Sequence, residues 1–274
     1  MLGVNHSTVF RRIGAIEEKL GVRLFERLTS GYVMTEAGEA ILESGGRIEN
    51  EVLGLSRKLI GRDLHLSGTL RVAVPDALLI KVLMPHFRVF SQRYPQIQLE
   101  LTVSNNYLNL TRREADLAVR VTRTPPETAV GRRICSMSSA IYGSGEYISK
   151  HVDATVTDHV WLMPDENLTL LPINEWLARN YPKAKVVLRC NTILGLYEAA
   201  VQGIGIASLP CFLGDPDPRL NRILNPPDAL TSELWLLTHP DLRRTARVRV
   251  LVDFLVEALE KERDLIEGRS SAFT

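Results

Sequence analysis

Two sets of residues in this 274-residue chain have the types and spacing to recognise another molecule. The first is near the N-terminus: Ser7 and Arg11, four apart, fall on one face of a helix, with His6, Phe10 and Arg12 beside them. The second follows short β-prone runs: Ala77, Ser104 and Asn105, Arg120 and Thr122, then Asn191 and Thr192, with Gly203 on the far side. Hydroxyls, amides and a guanidinium in such places bind polar groups without reacting with them. Reactive constellations are missing from the sequence. None of His6, His65, His86, His151, His159 and His239 has the i, i+4 partner of a metal-binding helix. There is no GxSxG elbow, and Cys135, Cys190 and Cys211 stand in no nucleophile context. Glu17 and Glu18 belong to a helix surface, with no apolar pocket to shift their pKa values. Gly203-x-Gly205 lacks a third glycine and precedes a strand, so it reads as a helix stop, not a phosphate loop. The expectation is a binding protein, not an enzyme, with no metal and no cofactor.

Composition narrows the setting. Lys and Arg number 33 against 32 Asp and Glu, a formal net charge of +1, so any basic surface is local. At 45% hydrophobic and 24% charged residues the chain can bury a core, and its length suits two or three domains. Three widely spaced cysteines exclude a disulfide scaffold and fit a reducing compartment. No secretory h-region opens the sequence and no run of eighteen apolar residues interrupts it. A cytoplasmic protein with no membrane partner is expected.

The elements carrying the first set can be read from periodicity. Asn5 is an N-cap; Val9, Ile13, Ile16 and Leu20 form one apolar stripe; Gly21 is a C′ stop. A helix is therefore expected from about His6 to Leu20. Val22–Arg27 reads as a short helix, and Ser30-Gly31 as the turn of a hairpin between β-prone runs. Helix, short helix and hairpin outline a winged helix-turn-helix. Thr35 then caps a helix in which Gly38, Gly45, Val52 and Leu59 recur every seven residues, with Ile41, Ile48 and Leu55 alongside. That seam implies a partner helix, most simply from a second copy of the chain.

These residues carry a resemblance. Val4-Asn5-His6-Ser7-Thr8-Val9-Phe10-Arg11-Arg12-Ile13, the Leu20-Gly21-Val22-Arg23-Leu24-Phe25-Glu26-Arg27 block and Thr35-Glu36-Ala37-Gly38 are similar to the DNA-binding signature of the LysR-type transcriptional regulators. The likeness continues to about Glu260. It departs in three places. The family's first helix and the first helix of its helix-turn-helix are missing, which fits a start codon upstream of Met1 best, and otherwise a truncated sequence or a naturally shortened form with impaired DNA binding. Phe10 stands where a small hydroxyl residue is usual. The wing tip Thr29-Ser30-Gly31 lacks a basic residue. The resemblance implies that His6, Ser7 and Arg11 meet base edges in the major groove and that Phe10 touches a thymine methyl. Arg12, Arg27, Thr29 and Ser30 would contact phosphates of double-stranded operator DNA.

After residue 65 the pattern becomes α/β. Strands are expected at Thr69–Val74, Ile97–Val103, Ala115–Arg120, Val186–Cys190 and Ile204–Pro210. Helices are expected around Leu79–Phe90, Tyr107–Arg113, Ile193–Gln202 and Val248–Leu259. A mainly parallel sheet follows from the alternation. The resemblance refines this to a two-lobed effector domain like a type 2 periplasmic binding protein, with crossings near Ile141–Gly145 and Ser232–Leu237. The full expectation is a partial winged helix-turn-helix (1–34), a linker helix for self-association (35–65), a first lobe (66–141 and 237–262) and a second lobe (142–236). A small-molecule effector, carboxylated as the family's often are, would sit between the lobes against Ala77, Ser104, Asn105, Arg120, Thr122, Asn191, Thr192 and Gly203. Asp76 would repel an anion and ranks below them. The chain then acts as a ligand-responsive transcription regulator; alternatively, it is a sensor or partner protein deficient in DNA binding. A transport solute-binding protein and an enzyme on the same fold are the remaining rivals. The tail, including Ile266-Glu267-Gly268-Arg269, carries no expected function.

Overall fold

The computed structural model describes residues 6–28, 31–42, 44–46, 66–104, 115–168 and 171–269, with backbone alone at 6–10, 27, 28, 31 and 167. Two compact units result, Met1–Leu59 and Ile60–Thr274.

In the first unit, helix α1 spans His6–Leu20, as its apolar spacing requires. Gly21 ends it at φ 69°. No short helix follows. Glu17 Oε1 accepts the N–H groups of Leu24 and Phe25, at 2.7 and 3.2 Å, and so takes the donors a new helical turn would need. The chain instead enters β1 (Phe25–Leu28), which pairs antiparallel with β2 (Gly31–Met34). Leu28 opposite Gly31 leaves a two-residue hairpin loop, Thr29-Ser30, outside the described residues. Thr35 caps the next helix through Oγ1, which accepts from Gly38 N–H at 3.1 Å. A Cβ at Gly38 would stand 2.3 Å from the Leu24 carbonyl oxygen. Gly38 thus lets this helix approach buried Leu24 of its own unit, a role different from the seam position its heptad spacing suggested. Ile41, next on the seam, is 38% exposed. Ile48, Val52, Leu55 and Leu59 lie outside the described residues.

The second unit holds two five-stranded sheets. The first lobe orders its strands β4-β3-β5-β12-β6: β3 Gly68–Val74, β4 Ile97–Val103, β5 Leu117–Val121, β6 Val130–Met137 and β12 Ser232–Thr238. The second orders them β11-β7-β10-β8-β9: β7 Ser139–Ser144, β8 Val160–Pro164, β9 Lys185–Cys190, β10 Ile206–Pro210 and β11 Leu220–Leu224. Both sheets are mixed, not mainly parallel: β12 runs antiparallel between β5 and β6, and β7 runs antiparallel to β10 and β11. The crossings move too. Only Ser138 separates β6 from β7, so the chain changes lobe there and not at Ile141–Gly145, which is mostly strand β7. The return lies between Leu224 and Ser232, and the expected return segment is β12 of the first lobe. An extended run that changes sheets without a turn residue leaves no punctuation to read.

After β3, Asp76–Leu78 begins a helix that passes through a π turn at Leu79–Leu83 into α2 (Met84–Arg93). Pro85 has no N–H to give the Lys81 carbonyl four residues back, and Met84 N–H bonds five residues back, to Leu79 O. Leu79, Val82, Leu83, Phe87 and Phe90 are all buried, as their spacing implies. Phe90 packs on Phe254 of α7 (Ala246–Lys261), ring centroids 5.3 Å apart, so the final long helix lies on the first lobe. One apolar core continues through both lobes, with Leu70 and Leu234 joined to Tyr142 and Leu209. Trp161, Ile173 and Ile206 centre a smaller core in the second. Among the described residues no helix is long and apolar enough to cross a membrane.

Candidate functional site: a cavity between two lobes

A cavity of about 520 Å³ opens where strands of the two sheets end. Parallel pairing of β3 with β4 and β5 brings their C-terminal ends side by side. Residues just beyond them therefore meet: Asp76 and Ala77 after β3, Ser104 after β4, Thr122 after β5, with Arg120 near the end of β5. Four expected ligand residues, Ala77, Ser104, Arg120 and Thr122, line this cavity, and so does Asp76. Asn105 lies outside the described residues. Arg120 is 7% exposed. Its Nη1 donates to Ser104 O at 3.0 Å, and Nη2 stands 3.4 Å from Ser104 Oγ, so the guanidinium is held at the polar floor. Asp76 Oδ1 accepts the Ala77 N–H at 2.7 Å.

Asn191, Thr192 and Gly203 do not line the cavity. Strand β9 is the edge of its sheet, so its end is carried away from the centre. Thr192 caps α5 (Ile193–Val201), Oγ1 accepting from Gly195 N–H at 3.0 Å, and Gly203 follows that helix at φ 73°. The second lobe supplies other residues: Ile193 at the start of α5, Ser208 on central strand β10, and Leu168, Leu171, Ile173 and Glu175 leading into α4 (Ile173–Asn180). Sequence reasoning missed these. Ser208, a hydroxyl inside an apolar strand, was the one local sign.

On the first unit, Arg11 and Arg12 are exposed on α1. His6, Ser7 and Phe10 stand on the same helix and Arg27 on β1, by backbone position; Thr29 and Ser30 lie outside the described residues. Ile16 is 45% and Leu20 51% exposed, so the apolar stripe faces out of the unit as described.

One titratable cluster lies apart from the cavity lining. In the second lobe the rings of Tyr147, on α3 (Gly145–Ser149), and His151 stack at 4.3 Å, and the His159 ring is 5.6 Å from Tyr147 and 5.8 Å from His151. His159 is 3% exposed and its Nδ1 has no hydrogen-bond partner. Burial pushes its pKa below the ordinary value, His151 adds to that, and Asp158 opposes it. A depressed imidazole pKa means that the unfolded chain takes up the proton first. Stability is complete above the unfolded value near pH 6.5 and falls as pH drops below it, by at most ~1.4 kcal/mol per pH unit. His159→Gln flattens that slope in urea titrations between pH 7.5 and 5.5; an unaltered slope excludes His159 as its source. Among the described residues no group of three or more His, Cys, Asp and Glu is placed to hold a metal ion.

The comparisons agree with this architecture. Residues 64–260 match the LysR substrate binding domain, and residues 1–39 match the bacterial regulatory helix-turn-helix protein, lysR family. The HTH-type transcriptional regulator CrgA of Neisseria meningitidis serogroup C is 29% identical over 273 residues, covering 94% of this chain and 89% of CrgA. The HTH-type transcriptional regulator PgrR of Escherichia coli K12 is 29% identical over 220 residues, 76% of this chain and 73% of its own. The solved structure of Neisseria meningitidis CrgA superposes with a TM-score of 0.64 at 28% identity, covering 94% of this chain and 91% of that one. Full-length AphB of Vibrio cholerae shares the fold, with a TM-score of 0.61 at 21% identity over 93% and 91% of the two chains. LysR-type regulators bind DNA and small-molecule effectors and form oligomers. With the helix-turn-helix match at its N-terminus and the effector-domain match over most of its length, the chain belongs to the LysR family of bacterial transcriptional regulators.

Proposed function

We propose that this regulator reads operator DNA with α1 and its wing while a carboxylated metabolite occupies the cavity between the lobes. The observation that carries the reading is the convergence of Ser104, Arg120 and Thr122, each 6–7% exposed, on the wall of one cavity at the ends of parallel strands. A guanidinium there offers a charge-assisted bond to a carboxylate, and Ala77, at the start of a helix, belongs to the same wall. The effector acts as a signal and is not transformed, a reading supported by the relatives, which are transcriptional regulators. The protein works in the cytoplasm, and copies associate through the helix that Thr35 caps.

On the DNA side, His6, Ser7, Phe10 and Arg11 contact base edges, and Arg12, Arg27, Thr29 and Ser30 contact phosphates. Selection from a random duplex pool yields a consensus sequence for the unaltered chain. Arg11→Ala weakens binding to that consensus by ~1–3 kcal/mol and relaxes one of its positions, with unchanged far-UV circular dichroism. A variant that selects the same consensus at the same affinity removes Arg11 from the base-reading set.

A further inference from the structure

The cavity lining combines polar and apolar side chains from both lobes. Its polar floor is first-lobe: Ser104, Arg120 and Thr122, fixed at strand ends. The second lobe and the return crossing add an apolar wall, Leu168, Leu171 and Ile173 with Phe212 and Leu230, alongside the polar Ser139, Glu175 and Ser208. Leu168, Ile173, Phe212 and Leu230 are each at most 6% exposed, so these four side chains are packed in place. A volume of about 520 Å³ lies within the range of sites that enclose ligands of drug-like size. A two- or three-carbon acid would satisfy the polar floor and leave the apolar wall facing water, which forfeits the larger share of the available binding energy. Two carboxylates, Asp76 and Glu175, also line the cavity. Glu175, on the second-lobe side, would repel a second negative charge at the far end of the ligand.

We propose that the effector is an amphipathic monocarboxylate: one anionic head at Arg120, Ser104 and Thr122, and an apolar body of medium length lying against Leu168, Leu171 and Ile173. Such a molecule touches both lobes at once, so its length and shape, not its charge alone, set the fit between them. The inference rests on the cavity being the effector site and narrows the class of compound it takes.

The test is calorimetric titration of the whole chain with acetate, butanoate, hexanoate and octanoate, then with octylamine, 1-octanol and the dianion octanedioate. Affinity is expected to rise about threefold to fourfold per methylene from butanoate to octanoate. Octylamine, 1-octanol and octanedioate are expected to bind at least tenfold more weakly than octanoate. Leu171→Asp, at a half-buried position, is expected to abolish the chain-length gradient while the chain stays folded by circular dichroism. A flat series, with octanedioate binding as well as octanoate, overturns the amphipathic assignment and leaves the carboxylate site standing. Octylamine or 1-octanol equal to octanoate overturns the carboxylate head itself. A gradient that survives in Leu171→Asp shows micellar or surface binding and overturns the assignment of the wall. Absence of heat with every probe removes both readings.

Discussion

Asp215→Ala is expected to lose about 3 kcal/mol of unfolding free energy at pH 7, the largest single loss among the polar groups of the effector domain. The Asp215 side chain is 2% exposed and accepts three bonds: from Tyr142 Oη at 2.6 Å, Arg222 Nε at 2.7 Å and Arg222 Nη2 at 2.5 Å. Arg222 is 21% exposed and also donates to the Gly268 carbonyl at 3.1 Å. Burial, the largest single effect on this guanidinium, opposes its charge, but the bonds to Asp215 and Tyr142 and the nearby Tyr142 and Cys211 together outweigh burial and raise its pKa. Burial, reinforced by Cys211 and Asp215, raises the Tyr142 pKa far above its usual value, so the phenol stays a donor. Removing the carboxylate leaves a largely buried cation without its counter-ion and takes away the acceptor of a buried hydroxyl. The network ties α6 (Cys211–Gly214) to β7 and β11, and α6 carries Phe212 of the cavity wall. Asp215→Leu combined with Arg222→Met should recover most of the loss, because the uncompensated charge leaves with its partner. Urea denaturation measures both; a single-variant loss below ~1 kcal/mol would sink the argument.

The network also shows where sequence reading stops. Its members lie 73 and 7 residues apart, and no local pattern announces that an aspartate, an arginine and a tyrosine will share one buried site. Elements with a period were legible. Helix α1, the strands β3, β4 and β9 and the stripe of α7 stand close to where apolar spacing puts them. The polar floor was legible for the same reason, since parallel strand ends converge and the residues beyond them can be counted off. Sheet order was not. Without knowing that β9 is an edge strand, nothing separates Asn191 and Thr192 from Ser104 and Thr122. The apolar wall was missed because Leu168 ends a single 3-10 turn, Glu166–Leu168, and Leu171 directly precedes Pro172, so neither a helical nor a strand period marks them. Val22–Arg27 was misread because the side chain of Glu17, from the preceding helix, overrides local propensity.

Ile266→Ala tests the segment whose sequence suggested no role. A loss of about 2–4 kcal/mol is expected, from deleted apolar contact and an incompletely collapsed cavity. Ile266 is fully buried, in the core shared by both lobes, at the end of the short helix α8 (Arg263–Ile266) that follows α7. Its carbonyl accepts the N–H of Ser138, the single residue of the first crossing, at 3.2 Å. One residue later the Glu267 carboxylate accepts the N–H of Ser136 at 3.2 Å. Gly268 then turns at φ 70° with its Cα against Cys211, where a Cβ would lie 2.7 Å from Sγ, and its carbonyl meets Arg222. The segment therefore leaves the first lobe with α7, passes the crossing and ends on the second lobe. It braces the two where the covalent link is one residue long. Shortening Ile266 leaves its carbonyl in place but loosens the helix that aims it. Amide exchange at Ser138 should accelerate more than exchange in the centre of β3, which has its own ladder of partners on both sides. Uniform acceleration at both places would mean that Ile266 contributes only to global stability, and the brace would then have no separate existence.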